Sequence, residues 1–127
     1  MLRLRTQLKA DHIKVFVDVK KKHAAHALTA DLGVKDVVKQ SEFFRADGII
    51  ITGGFTAEAA KLEDLIEARN ATKLPIFIGS GITPENVNTY TSMAQGFIVG
   101  SYFKREGEWQ NDVDPERVKN LLRVVKG

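Results

Sequence analysis

The sequence predicts an α/β fold of four βα units, half of a (β/α)8 TIM barrel, and three observations carry that expectation. Four short apolar runs rich in β-branched and aromatic residues, Ile13 to Val19, Ile49 to Thr52, Ile76 to Ile78 and Phe97 to Val99, alternate with helical patterns. That alternation implies parallel strands joined by right-handed crossovers. A whole barrel of this kind takes roughly 250 residues, and this chain has 127. An open four-stranded sheet is the alternative architecture. The helical pattern ahead of the first run favours the half-barrel, because the chain then begins in mid-pattern.

The elements follow in order. Met1, Leu4 and Leu8 recur at helical spacing, so residues 1–10 read as the end of a preceding helix. The four runs are nearly all apolar, as parallel strands buried on both faces are. Between them lie helices over Val34 to Phe44, over Leu62 to Ala71 with Leu62, Leu65 and Ile66 on one face, and over Pro84 to Met93. A last helix covers Pro115 to Val125. Thr83-Pro84 and Asp114-Pro115 each put an oxygen-bearing cap before a proline at the first helical position, where a missing N–H is harmless. Residues 46–53, ADGIIITG, echo residues 94–101, AQGFIVGS, so two of the units follow one plan. The whole chain, 1–127, reads as one domain.

Composition narrows the function classes. Nineteen Lys and Arg interleave with 16 Asp and Glu, for a formal charge of +3. No basic block argues for nucleic acid, while a small anionic ligand is compatible. There is no cysteine, hence no disulfide framework and no thiolate metal site. No apolar stretch reaches the roughly 20 residues of a membrane-spanning helix. The expectation is a soluble cytoplasmic protein with no cofactor. The basic start MLRLRTQLK also resembles the edge of an organelle-targeting peptide, although its spacing favours an amphipathic helix.

In parallel α/β folds ligands bind beyond the carboxyl ends of the strands. After the third and fourth runs stand Gly79, Ser80 and Gly81, then Gly100 and Ser101. Glycines let several N–H donors converge on an anion without Cβ atoms in the way, and the loops after the last two strands are where many barrels hold phosphate. Tight βα turns would use the same glycines. After the first run, Asp18, Lys20 and Lys22 point to one side of the strand, so a carboxylate and two ammonium groups can polarise a carbonyl, move a proton or orient a sugar phosphate. A solvated lysine run is the alternative. His23 and His26 are spaced as ligands on one helical turn, but a structural hydrogen bond is the commoner role of a loop histidine, and no metal is expected. Thr52 places a hydroxyl where a ligand or a turn could use it, beside Gly53 and Gly54. Trp109 reads as a cover over the core or a subunit contact.

The segments IKVFVDVKKKHAAH, RADGIIITG, KLEDLIEARNATKLPIFIGSGITPENV and QGFIVGSYFKREGEWQNDVDPERVKNLL together resemble the BtpA family, from about Leu2 to Val125. The resemblance implies a phosphate-binding (β/α)8 barrel of which this chain matches strands 5 to 8. It implies roles for Asp18, Lys22 and His23 after strand 5, for Gly79, Ser80, Gly81 and Thr83 as the phosphate loop, and for Gly100 and Ser101 after strand 8. Gly54 to Lys61 and His26 depart from the family pattern. If the chain is active, the resemblance points to a lyase, isomerase or nucleosidase-like reaction on a phosphorylated sugar or nucleoside. A non-catalytic assembly or stability factor, or a truncated half-barrel that only oligomerises, are the other readings. Half a barrel leaves two sheet edges and an inner face uncovered, so self-association or a complementing half-barrel is expected.

Overall fold

The computed structural model describes residues 2–19, 30–54 and 57–126. In chain order its elements are α1 (Leu2–Gln7), β1 (Phe16–Val19), α2 (Val34–Phe43), β2 (Gly48–Thr52), α3 (Leu62–Ala71), β3 (Ile76–Gly79), α4 (Val87–Tyr90), β4 (Gly96–Ile98) and α5 (Pro115–Lys126). Two short 3-10 turns, Ser101–Phe103 and Arg105–Gly107, lie between β4 and α5. All strand pairs are parallel and the sheet order is β1-β2-β3-β4. Sequential order is the order of neighbouring strands in a barrel, whereas a doubly wound sheet reverses direction partway.

The pleat divides the sheet into two unlike faces. Val19, Ile51, Ile78 and Phe97 share one cross-strand row. They pack with Val34 and Val38 of α2, Leu65 and Ala68 of α3, Val87 and Tyr90 of α4, and Leu121 of α5 in one apolar core. Leu65 and Ala68 carry the burial of α3, while Ile66, expected on the same face, is exposed. The opposite face is apolar but open: Phe16 is 40% and Ile98 50% exposed. Large residues alternate there with glycine. A Cβ on Gly48 would stand 2.4 Å from the Phe16 ring, and one on Gly96 would stand 2.6 Å from Phe77. Each ring therefore lies across a neighbouring strand's glycine, and the two rings meet edge to face at 5.0 Å.

The ends of two elements differ from the sequence reading. The first strand begins at Phe16 and not Ile13, because Lys9 takes a positive φ and Ile13 donates its N–H back to Ala10, folding residues 9–13 into turns. The helix expected from Pro84 to Met93 is regular only over Val87–Tyr90. Thr83 does offer its carbonyl to Asn86 and Val87, but it is the Asn86 side chain that locks the turn, accepting the Thr83 N–H and donating to the Gly81 carbonyl. Trp109 is 66% exposed and covers none of the core. No helix among the described residues is long and apolar enough to cross a membrane.

At the amino-terminal end of the sheet, Asp47 ties three segments together. Its carboxylate accepts the Val15 N–H at 2.8 Å and pairs with Arg5 of α1 at 2.7 Å and Lys14 at 3.4 Å. Arg5 also donates to the Ile13 carbonyl. The Val15 N–H, then Arg5, hold the Asp47 carboxyl below its ordinary 3.8, at about 2. A carboxylate whose folded value is depressed stabilises the fold above its unfolded value, and that contribution fades as pH falls from about 4 towards 2. Urea unfolding should therefore show Asp47→Asn less stable than the parent at pH 6, with the gap closing near pH 2. A gap of constant size across that range would contradict this role.

Candidate functional site

The parallel arrangement puts the carboxyl ends of all four strands on one edge of the sheet, and the loops that follow them meet there. Gly81 has φ +67°, and a Cβ on it would lie 2.4 Å from backbone atoms of Glu58 and Ala59. The loops after β2 and β3 are thus in backbone contact, which only glycine permits. Gly53 has the same reason to be glycine, since a Cβ there would stand 2.2 Å from the Glu58 carbonyl oxygen. Tyr90 fastens the pair from beneath: its buried hydroxyl donates to the Ala60 carbonyl at 2.8 Å, and burial pushes the phenol's pKa up.

Across from this junction the chain leaving β4 turns sharply at Gly100, where an added Cβ would meet nothing within 4 Å. The chain then runs out and back. Lys104 and Val113 form an antiparallel bridge, and the Asp114 N–H returns to the Phe103 carbonyl at 2.7 Å. The excursion brings the first turn of α5 against the β4 loop. Between the two loops lies a cleft of about 150 Å³ lined by Gly81, Thr83, Gly100, Ser101, Tyr102 and Arg117 among others.

Arg117 was not singled out from the sequence. Its guanidinium stands 4.4 Å from the centre of the Tyr102 ring, its Nε donates to the Tyr102 carbonyl, and the Tyr102 hydroxyl accepts from Asn120 at 3.0 Å. One signal was available: a cation in the first turn of a proline-started helix opposes the helix dipole and needs a compensating reason. Glu85 was also missed. Its carboxylate accepts from the Thr83 hydroxyl, which first of all lowers its pKa, and the Arg117 charge acts in the same direction.

The structure gathers some of the expected residues and separates others. Gly81, Gly100 and Ser101 share the cleft. Gly79 ends β3, where a Cβ would press on Thr52 and Ile50. The Ser80 N–H is donated to the Ile98 carbonyl at 3.1 Å, extending the β3–β4 pairing, and the Thr83 N–H goes to Asn86. Those two N–H groups therefore belong to the loop's own framework. Ser80 is held at φ +78°, a conformation uncommon outside glycine. Thr52 stands on the open face in register with Gly79, and its hydroxyl oxygen is closed to solvent without a hydrogen-bond partner among the described residues. Asp18 is exposed on the same open face, in register with Ile50. Lys20, Lys22, His23 and His26 lie outside the described residues, and among those described no group of three or more metal-ligating side chains comes together.

Comparison with known proteins places the chain among relatives. A model of the BtpA family matches residues 1–127. The chain is 44% identical over 125 residues to an uncharacterised mitochondrial protein of Caenorhabditis elegans, covering 98% of this chain and 45% of that protein. It is 43% identical over 112 residues to an uncharacterised protein of Pyrococcus furiosus, covering 88% of this chain and 42% of the relative. With the photosystem I biogenesis protein BtpA of Synechocystis it shares 38% identity over 128 residues, 98% of this chain and 43% of that protein. The chain thus spans less than half the length of the curated relatives it matches. It belongs to the BtpA family.

Proposed function

We propose that this chain is the phosphate-gripping half of a (β/α)8 barrel, and that the cleft between the β3 and β4 loops holds the phosphate group of a phosphorylated small molecule. The observation that carries the reading is the convergence of Gly81 with Gly100 and Ser101 in one cleft that also contains the Arg117 guanidinium. Its volume of about 150 Å³ is below the roughly 300 Å³ at which whole-ligand pockets begin. It suits one charged group, with the rest of the ligand extending over the open face, where Gly79 offers no side chain and Asp18 and Thr52 stand on the same side. Lys20, Lys22 and His23 follow β1 in sequence, and in this reading they act with Asp18 on that remainder.

The open face and the outer edges of β1 and β4 support completion of the barrel by four further strands, from a second copy or a complementing half. Leu4, Leu8, Ile13, Phe16 and Phe44 are exposed along the β1 side, and Ile98, Val113, Leu122 and Val125 on elements at the β4 side. Exposed apolar surface of that extent beside unpaired strands marks an interaction surface. Relatives of about twice this length fit the same reading.

Inorganic phosphate or a sugar phosphate at millimolar concentration should raise the melting temperature by a few degrees, since a ligand at 100 times its Kd adds about 2.7 kcal/mol. An unchanged melting temperature with both would count against the site. A second reading, a protein-assembly factor, draws on the exposed apolar edges and on the name of the Synechocystis relative, a photosystem I biogenesis protein. Recovery of one stable protein complex that survives Asp18→Ala and Lys20→Ala together, without any phosphate effect, would favour it.

A further inference from the structure

Arg117 occupies a place that is electrostatically unfavourable for it alone. It is the third residue of α5, where the exposed N–H groups of the helix start already present positive charge. Its side chain is nevertheless held in one pose. Nε is bonded to the Tyr102 carbonyl, one face of the guanidinium lies on the Tyr102 ring, and that ring is fixed in turn by Asn120. Among the described residues no hydrogen bond uses its two terminal nitrogens, and one of these passes close to Gly107, another residue of the cleft lining. A guanidinium fixed through Nε and one face still presents a planar fork of donors, the geometry that matches two oxygens of a phosphate. The Thr83 hydroxyl, at the edge of the cleft, is donated to the Glu85 carboxylate instead.

Resting on the phosphate reading above, we propose that Arg117 is the anion-recognition residue of the cleft and that Tyr102 holds its fork ready. The cleft then favours groups that present two anionic oxygens to the fork over neutral ones. Surface packing of Arg117 on Tyr102 without any ligand role is the reading to be excluded.

The test is calorimetric titration of inorganic phosphate into the purified chain at constant ionic strength, with amide NMR spectra to locate binding. Phosphate should shift the amides of Gly81, Gly100 and Ser101 in the parent. Arg117→Gln should weaken binding by about tenfold or more, as expected for loss of a charge-assisted bidentate contact. Arg117→Lys keeps the charge without the fork and should fall between the two. Parent-like binding by both Arg117 variants, with those amides still shifting, overturns the assignment of Arg117 and leaves the phosphate cleft standing. Absence of phosphate binding by the parent overturns the two together. Should Arg117→Gln fail to fold, the lysine variant decides.

Discussion

Gly81→Ala is expected to destabilise the fold by about 3 kcal/mol, combining roughly 1–2 kcal/mol for a left-handed alanine with about 1–3 kcal/mol for forced overpacking. The added Cβ would stand 2.4 Å from the Glu58 carbonyl group and the Ala59 nitrogen, which are backbone atoms that cannot swing aside. Relief requires the loops after β2 and β3 to part, and their parting would pull the Ala60 carbonyl from the Tyr90 hydroxyl. Gly100 is the internal contrast, because a Cβ there meets nothing within 4 Å. Urea unfolding of the two alanine variants should give a large loss for Gly81 and a small one for Gly100. Equal losses would mean that the contact between the two loops is not what requires glycine at residue 81.

The second large effect concerns assembly. Phe16→Asp combined with Ile98→Asp should abolish association of the chain with its completing strands. Phe16 lies on β1 and Ile98 on β4, at opposite edges of the sheet and on its open face, where a closed barrel would have its interior. At 40% and 50% exposure, these side chains lend the isolated unit only part of their burial energy. In a closed barrel each aspartate would be an unpaired charge in an apolar layer, a penalty of several kcal/mol, enough to weaken association more than 100-fold. Sedimentation of parent and double variant measures the difference. Association of unchanged strength in the variant would show that these edges are not the contact surfaces.

How much of this was legible in the sequence depends on how local each determinant is. β2, β3, α2, α3 and α5 fall within a residue or two of the periodic runs that announce them, because apolar spacing and proline or polar caps act within a few residues. α4 was overread. Thr83-Pro84 carries the signature of a helix start, yet the Asn86 side chain turns the chain first and leaves a single regular turn. The glycine loops were recognised, but not the division of labour within them: the contact of Gly81 with Glu58 and the donation from Ser80 to Ile98 span loops that sequence spacing does not connect. Arg117 stays hidden for the same reason. It reaches the cleft only because residues 101–114 fold back on themselves, a route set by tertiary bonds such as that from Asp114 to Phe103.

Completion of the barrel, as proposed, requires another four strands against the apolar open face of the four-stranded parallel sheet. Light scattering coupled to size exclusion tests this most directly on the purified chain. The expected result is a discrete particle of twice 14.1 kDa that unfolds in a concentration-dependent transition. A single 14.1 kDa species that melts cooperatively at the same temperature across a hundredfold range of concentration would contradict it.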